Sequence, residues 1–160
     1  MFRLDLEQIK KHYTEFDIWI QSLRNLDASE WLMPLGEGKW TVAAVVSHLL
    51  FWDKFSLEER FPYFKEDAVL PSFPDFQEIN DKARDYAENN ATKDQILDEL
   101  LEVRQEFHGM LEHMNQDALA VSFKISDHQM TTGAYFADFI WHDLHHQKQV
   151  DAVLGRAVAN

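Results

Sequence analysis

The sequence predicts an all-α protein, a four-helix bundle with a long crossover connection and a short extra helix. Three observations lead to this prediction. Four long segments carry apolar residues at alternating steps of three and four, which places those residues on one face of an α-helix. A proline-containing connection separates the second of these segments from the third. The chain has 160 residues, 46% of them apolar, which is enough for one domain over residues 1–160 with a sizeable core.

The first two bundle helices are predicted over residues 5–25 and 42–60. The apolar face of the first is formed by Leu6, Ile9, Tyr13, Phe16, Ile20 and Leu23. Thr41 precedes the second helix, and its hydroxyl suits the N-cap position. His48 lies four residues before Trp52, so it faces the same way as the apolar side of that helix.

The connection over residues 64–75 contains two prolines and predicts a crossover loop. A short helix is expected to follow over residues 76–88. The third bundle helix is predicted over residues 93–114. Its start is indicated by Thr92 and Gln95, which have the spacing of a capping box.

Residues 115–129 are expected to be mostly linker. Within this segment, residues 121–125 alternate like a short strand. One strand has no partner elsewhere in this pattern, so we expect an extended loop there. Thr131 or Thr132 is expected to cap the fourth helix, which is predicted over residues 133–154.

Charge and composition exclude several functional classes. The formal net charge is −13, and nucleic-acid binding needs a cationic surface. The same charge argues against binding to anionic membranes. No apolar run reaches the roughly 18–20 residues of a membrane span, and the first residues lack the apolar core of a signal peptide. We therefore expect a cytoplasmic protein with no nucleic-acid partner and no membrane partner.

Three histidines lie close together on the fourth helix. His142 and His146 are four residues apart, so their rings lie on the same face, which continues the apolar stripe. His145 is turned about 100° from His146, so one helix cannot direct all three rings at one ion. Neutral imidazoles in an apolar core are costly without a partner. We therefore predict that His142 and His146 are ligands of a metal ion.

His48 is the candidate for the third ligand. Metal sites in helix bundles are built from inward side chains on facing helices, although a single histidine on an apolar face is more often a core residue. With His48, the site has three histidines and open positions, which is typical of catalytic sites. Such a metal activates a bound water, ionises a thiol or polarises a carbonyl. The HExxH pattern of zinc proteases is absent.

Three further side chains are candidates for a supporting role around the ligands. Gln149 lies beside His146 and could form a hydrogen bond to a ligand or to a metal-bound water. Asp138 is four residues before His142 and could accept a hydrogen bond from its ring. His145 could support the ligands, form a dimer contact or lie on the surface. The catalytic group itself is not assigned.

Two other acids, Asp53 and Asp143, could also orient ligand rings. For these two and for Asp138, the interpretation that we favour is solvated surface charge. The chain has no cysteine, which excludes disulfides and thiolate metal sites. Imidazole ligands suit several divalent metals, so we expect Zn or Ni, with Fe, Co and Mn as alternatives.

The motif of the fourth helix resembles that of a known family. Its HDLHHQKQV, over residues 142–150, resembles the terminal HxxxHxxQ motif of the DinB/YfiT superfamily. Residues 38–49 resemble the tryptophan-containing entry to the helix that bears the family's first ligand. The interval from His48 to His142 is similar too. The family often shows Arg-Gly where this chain has Gln147-Lys148, which leaves the ligands intact but removes the usual arginine.

The resemblance implies a four-helix bundle in which His48, His142 and His146 bind a divalent metal, often in a homodimer. Characterised relatives include transferases and isomerases that use bacillithiol, mycothiol or glutathione. A metal-dependent enzyme that activates a low-molecular-weight thiol for transfer to a small-molecule substrate is therefore the leading hypothesis. Hydrolysis by an activated water is an alternative. A metal-binding or stress-response protein without turnover is another, as is a structural bundle whose histidines hold no metal.

Overall fold

The structure is a computed structural model that describes residues 4–156, so residues 1–3 and 157–160 of the predicted domain lie outside the described residues. The helices and strands are α1 (Leu6–Ser22), α2 (Ala28–Trp31), α3 (Val42–Glu59), β1 (Val69–Leu70), α4 (Phe76–Asp85), α5 (Lys93–Glu112), β2 (Ser122–Ile125), β3 (His128–Thr131) and α6 (Thr132–Val153). The four long helices α1, α3, α5 and α6 form a bundle, in which α1 and α3 each contact α5 and α6. The predicted fold class is confirmed. No described helix combines the length and the apolar character that crossing a membrane requires.

Polar caps fix where the bundle helices begin. The side chain of Thr41 accepts a hydrogen bond from the backbone of the first turn of α3, and Thr131 does the same for α6. Thr92 and Gln95 form the predicted capping box at the start of α5. Each cap satisfies N–H groups that have no partner inside the helix. The starting positions of these three helices can therefore be read from the sequence.

A small three-stranded sheet lies beside the bundle, and the extended loop predicted over residues 121–125 is wrong. This segment is strand β2, which pairs in antiparallel fashion with β3 and in parallel fashion with β1. Neither partner strand shows apolar alternation, because β1 has two residues and β3 reads His-Gln-Met-Thr. Phe123 and Ile125 of β2 are buried with Leu70 and Tyr135 in a small core of their own.

The segments that connect the bundle helices lie next to α3 and α6. Helix α4 packs along α3, and β3 leads directly into α6. The strand β1 within the crossover connection pairs with β2, which joins the crossover to the β2–β3 hairpin. These three segments are therefore placed to enclose a space next to α3 and α6.

A buried set of charged side chains joins all four bundle helices. Arg104 of α5 is fully buried. Its guanidinium donates hydrogen bonds to Asp53 of α3 at 2.7 and 3.2 Å and to Asp143 of α6 at 2.7 and 2.8 Å. His12 of α1 completes the set, with its Nε2 2.9 Å from Oδ2 of Asp143. We call these four residues the Arg104 cluster.

The Arg104 cluster corrects the interpretation of Asp53 and Asp143 as solvated surface charge. Their exposed fractions are 1% and 0%. Burial raises the pKa of Asp53 to about 7, against the opposing charge of Arg104. Burial also disfavours the charged form of Asp143, but Arg104 and His12 lower the pKa of Asp143 below its usual value. Asp143 is therefore the ionised partner of the guanidinium.

We expect that replacing Arg104 by Met destabilises the protein by about 3–5 kcal/mol, because the change leaves two carboxylates buried without their cation. The measurement is urea denaturation followed by circular dichroism. Arg24→Met is the matched control, since Arg24 pairs with Asp94 and Asp98 on the surface. That variant is expected to lose less than about 1 kcal/mol. Equal losses in the two variants would contradict the role assigned to the Arg104 cluster.

Candidate metal centre

Three histidine rings from two facing helices meet inside the bundle. Helix α3 provides His48, and α6 provides His142 and, one turn later, His146. The Nε2 atom of His142 lies 3.1 Å from Nε2 of His48 and 3.1 Å from Nε2 of His146. One nitrogen from each ring lies within 4.8 Å of the other two. The structure thus brings together the three predicted ligands, which we call the histidine triad.

Two amides hold the outer nitrogens of the triad. Nδ1 of His48 is 2.8 Å from Oδ1 of Asn80, and Nδ1 of His146 is 2.8 Å from Oε1 of Gln149. An amide oxygen only accepts hydrogen bonds, so each of these Nδ1 atoms carries the proton. The Nε2 atoms of both rings therefore direct their lone pairs toward the centre. The indole N–H of Trp52 also donates to Oδ1 of Asn80, at 2.9 Å, which fixes that amide.

Burial keeps the triad neutral. It is the main cause that lowers the pKa of His48 to about 3, and the neighbouring His146 lowers it further. Burial, followed by the proximity of His142, lowers the pKa of His146 to about 4. The pKa of His142 is also lowered, chiefly by burial. Near neutral pH, all three rings are therefore unprotonated at one nitrogen and able to bind a cation.

A divalent metal ion fits this arrangement. The Nε2 atoms of His48 and His146 both accept, and Nε2 of His142 can donate to only one of them. Without a cation, an acceptor in the triad would lack a donor among the described residues. Nitrogens held about 2.0–2.1 Å from a tetrahedral zinc ion lie about 3.3–3.4 Å apart. The observed spacing of 3.1 Å is close to this value.

The other predicted site residues lie in three different surroundings. Gln149 is hydrogen-bonded to His146, as its position on the helix suggests. His145 is exposed and stacks on Trp141, with ring centroids 5.1 Å apart, so it does not join the triad. Asp138 is exposed, and its side chain forms no hydrogen bond with His142 or any other described residue but lies on the wall of a cavity.

Asn80 is a site residue that the sequence did not reveal to us. It lies on α4, in which Ala83 is buried, and Ala87 is buried in the helical turn that directly follows α4. Asn80 precedes these alanines by three and seven residues, which is the spacing of a shared helix face. A polar side chain in register with two small buried residues was the available signal.

A cavity of about 540 Å³ adjoins the triad. His48 and His142 contribute to its wall, so the triad opens onto this space. Most of the remaining wall is apolar and includes Trp52, Phe73, Phe76 and Met130. The polar groups on the wall include Asp138 and the paired hydroxyls of Ser56 and Tyr135, which are 2.8 Å apart. The arrangement can hold a small, largely apolar molecule beside a metal ion.

Two solved structures share the fold. YfiT from Bacillus subtilis, described as a probable metal-dependent hydrolase with an unusual four-helix bundle topology, is 19% identical with a TM-score of 0.74. The match covers 95% of this chain and 89% of YfiT. The colibactin self-resistance protein ClbS, solved in complex with a dsDNA, is 16% identical with a TM-score of 0.70, and the match covers 94% of this chain and 95% of ClbS. No curated protein matches the chain by sequence.

The exclusion of a nucleic-acid partner, which we based on net charge, is wrong. ClbS has this fold and was solved in complex with a dsDNA. The net charge of −13 sums over the whole surface of the chain. It does not describe the local potential of one face or cleft, and binding depends on that local potential.

We expect the metal-free protein to lose stability as the pH falls from about 6.5 toward 4. Unfolded imidazoles take up protons near pH 6.5, whereas folded His48 and His146 stay neutral down to about 3 and 4. In this window the unfolded state binds protons at both histidines, which outweighs the one proton that folded Asp53 retains, so acid favours the unfolded state. Urea denaturation of chelator-treated protein at several pH values measures the effect. His146→Gln should show a shallower decline, and an unchanged slope would contradict the neutral triad.

The sequence and the site lead to one family. The model of the DinB superfamily matches residues 11–150, which include α3, α5, the triad and the connections that enclose the cavity. The resemblance found in the sequence motifs is therefore confirmed over most of the chain. This chain belongs to the DinB superfamily.

Proposed function

We propose that this protein is a metal-dependent hydrolase that acts on a small organic molecule, with His48, His142 and His146 as the metal ligands. One observation carries the proposal: the inward lone pairs of the triad open onto the cavity through His48 and His142. Zn and Ni are the first candidates for the metal, and Fe, Co and Mn also suit imidazole ligands. The description of YfiT as a probable metal-dependent hydrolase supports the same class of activity.

The residues around the triad have separate tasks in this proposal. A bound divalent ion would polarise the substrate and make a water molecule acidic enough to react near neutral pH. Asn80 and Gln149 hold the rings of His48 and His146 in the orientation that binds it. The carboxylate of Asp138 accepts a proton during the reaction, because it lies on the cavity wall without a hydrogen-bond partner among the described residues.

The transfer of a low-molecular-weight thiol is the second candidate, and it rests on the family resemblance. The same open site would bind the thiol sulfur, and Asp138 would accept the thiol proton. Water is favoured over a thiol because the cavity wall is largely apolar. Bacillithiol, mycothiol and glutathione are polar, charged molecules that need several hydrogen-bond partners. A binding protein without turnover is the outcome if neither reaction is found.

Duplex DNA is a further candidate partner of this chain, because ClbS was solved in complex with a dsDNA. A titration of fluorescently labelled duplex with the protein at low salt tests it. Binding that weakens steeply as salt is added would identify phosphate contacts. This experiment is independent of the metal site.

We expect His146→Gln to lose most of the bound metal and His145→Gln to keep it. The two histidines are neighbours on α6, but only His146 directs a nitrogen into the triad. Protein purified without a histidine tag is analysed by elemental mass spectrometry. Loss of a ligand typically costs far more metal affinity than a change outside the site. Full metal content in His146→Gln would refute the ligand assignment.

We expect Asp138→Asn to lower kcat by about a hundredfold or more, since a positioned general base contributes at least that factor. The substrates for this test are p-nitrophenyl esters and bis-p-nitrophenyl phosphate for hydrolysis, and glutathione with monobromobimane for thiol transfer. The control is Asp127→Asn, an exposed acid in the hairpin turn that does not line the cavity. Metal content should be unchanged in both variants. Turnover that persists without metal would contradict the proposal.

A further inference from the structure

Two nitrogens of the Arg60 guanidinium are enclosed and have no hydrogen-bond partner among the described residues. The exposed fraction of Arg60 is 1%. Its side chain forms no hydrogen bond or ion pair with any described residue, and Nε and Nη2 are both fully enclosed. The adjacent acid, Glu59, is exposed and does not pair with it. Buried arginines are almost always paired, so an unpaired one needs an explanation.

Arg104 is a buried arginine of the same protein whose guanidinium does have hydrogen-bond partners. It is equally buried, and two carboxylates accept its hydrogen bonds. Arg60 instead lies against aromatic rings, with its guanidinium carbon 4.7 Å from the ring centroid of Phe73 and 4.9 Å from that of Phe55. Aromatic faces attract the positive charge. They leave the N–H groups of the guanidinium free to bind an acceptor.

Arg60 continues a row of cavity residues on α3. His48, Trp52 and Ser56 line the cavity at intervals of one helical turn. Arg60 is four residues after Ser56 and directly follows the end of α3 as its C-cap, with its backbone N–H donating to the carbonyl of Ser56 at 3.1 Å. Twelve residues of helix span about 18 Å, so His48 and Arg60 mark opposite ends of the row.

Phe73 separates the guanidinium from the cavity. Its ring lines the cavity and also covers Arg60. Phe73 is 39% exposed, and it lies in the crossover connection outside the helices. A group in the cavity can therefore reach the guanidinium only if this side chain moves aside. Its ring packs against Trp52, Phe55 and Phe76, with ring centroids 6.2, 6.0 and 6.0 Å apart.

We propose that Arg60 binds the carboxylate of the molecule that occupies the cavity, and that this molecule is an organic monoanion with an apolar or aromatic body. The planar guanidinium matches a carboxylate with two parallel hydrogen bonds. The apolar wall formed by Trp52, Phe76 and Met130 contacts the body. One buried cation neutralises one carboxylate, whereas a phosphate dianion would keep one negative charge that Arg60 does not neutralise.

Charge also sets the direction in which this molecule lies. Asp138 is on the cavity wall formed by α6, four residues before His142, and its charge repels a carboxylate from that end when the triad holds no metal. The carboxylate therefore lies at the Arg60 end and the opposite end of the molecule lies at the triad. The assignment of the reactive end rests on the proposed function, whereas binding of the carboxylate by Arg60 does not require a metal.

The test compares two fluorescent probes that differ in one group, pyrene-butyrate and pyrene-butanol, by fluorescence anisotropy. We expect the protein to bind the butyrate about tenfold or more tightly than the butanol, because charge-assisted hydrogen bonds are about twice as strong as neutral ones. Arg60→Met should bind both probes equally, with the affinity for the butanol retained. Lys65→Met, which removes an exposed cation nearby in the chain, should keep the preference.

A second variant covers the case in which Arg60→Met does not fold. Arg60→Lys keeps the positive charge but loses the planar guanidinium. The logarithm of the ratio between the affinities for the butyrate and the butanol should therefore fall by about half or more. Equal binding of the two probes by the unmodified protein would overturn the proposal. A preference that survives in Arg60→Met, or an undiminished one in Arg60→Lys, would overturn it too.

Repeating the titration after chelation separates this inference from the proposed function. A preference that persists without metal supports Arg60 as the anion-binding residue, whatever the triad binds. A preference that disappears on chelation and returns with added Zn²⁺ places the carboxylate on the metal. That result would overturn the role of Arg60 and leave the metal site standing.

Discussion

The fold depends on one constraint: a fully buried guanidinium must keep both of its carboxylates. Arg104 donates hydrogen bonds to Asp53 of α3 and to Asp143 of α6. His12 of α1 contacts the same Asp143. Moving charges out of water is expensive, and only near-ideal hydrogen bonding offsets that cost. A sliding or rotated helix would break a bond to a buried charge. The Arg104 cluster therefore restricts the relative positions of all four bundle helices to a narrow range.

The same constraint positions the candidate metal centre. His142 and Asp143 are consecutive residues of α6, so one faces the triad while the other faces Arg104. Trp52 and Asp53 divide α3 in the same way, since Trp52 bonds to Asn80 and Asp53 bonds to Arg104. The Arg104 cluster thus contacts one side of α3 and of α6, and each helix carries a site residue on its other side. Precise placement of a metal site requires this kind of support behind its ligands.

The sequence predicted what depends on helical spacing and local caps. The bundle helices, the cap at Thr41, and the meeting of His48 with the histidines of α6 all follow from residues on one face of a helix. The sheet did not follow, because β1 is short and its partner is distant in the chain. The buried acids and the lone Arg60 were missed for a related reason. Whether a charge is buried depends on packing between helices, which spacing along one helix does not reveal.

The residues that line the cavity belong to two different parts of the fold. The triad belongs to two bundle helices held by the Arg104 cluster, whereas Phe73 belongs to the crossover and Met130 to the β2–β3 hairpin. Connections tolerate substitution and insertion far better than packed helices do. The shape of the cavity can therefore diverge through changes in the crossover and hairpin while the candidate metal centre stays constant. This division of labour would let one metal-binding scaffold acquire new chemistries without first losing its stability.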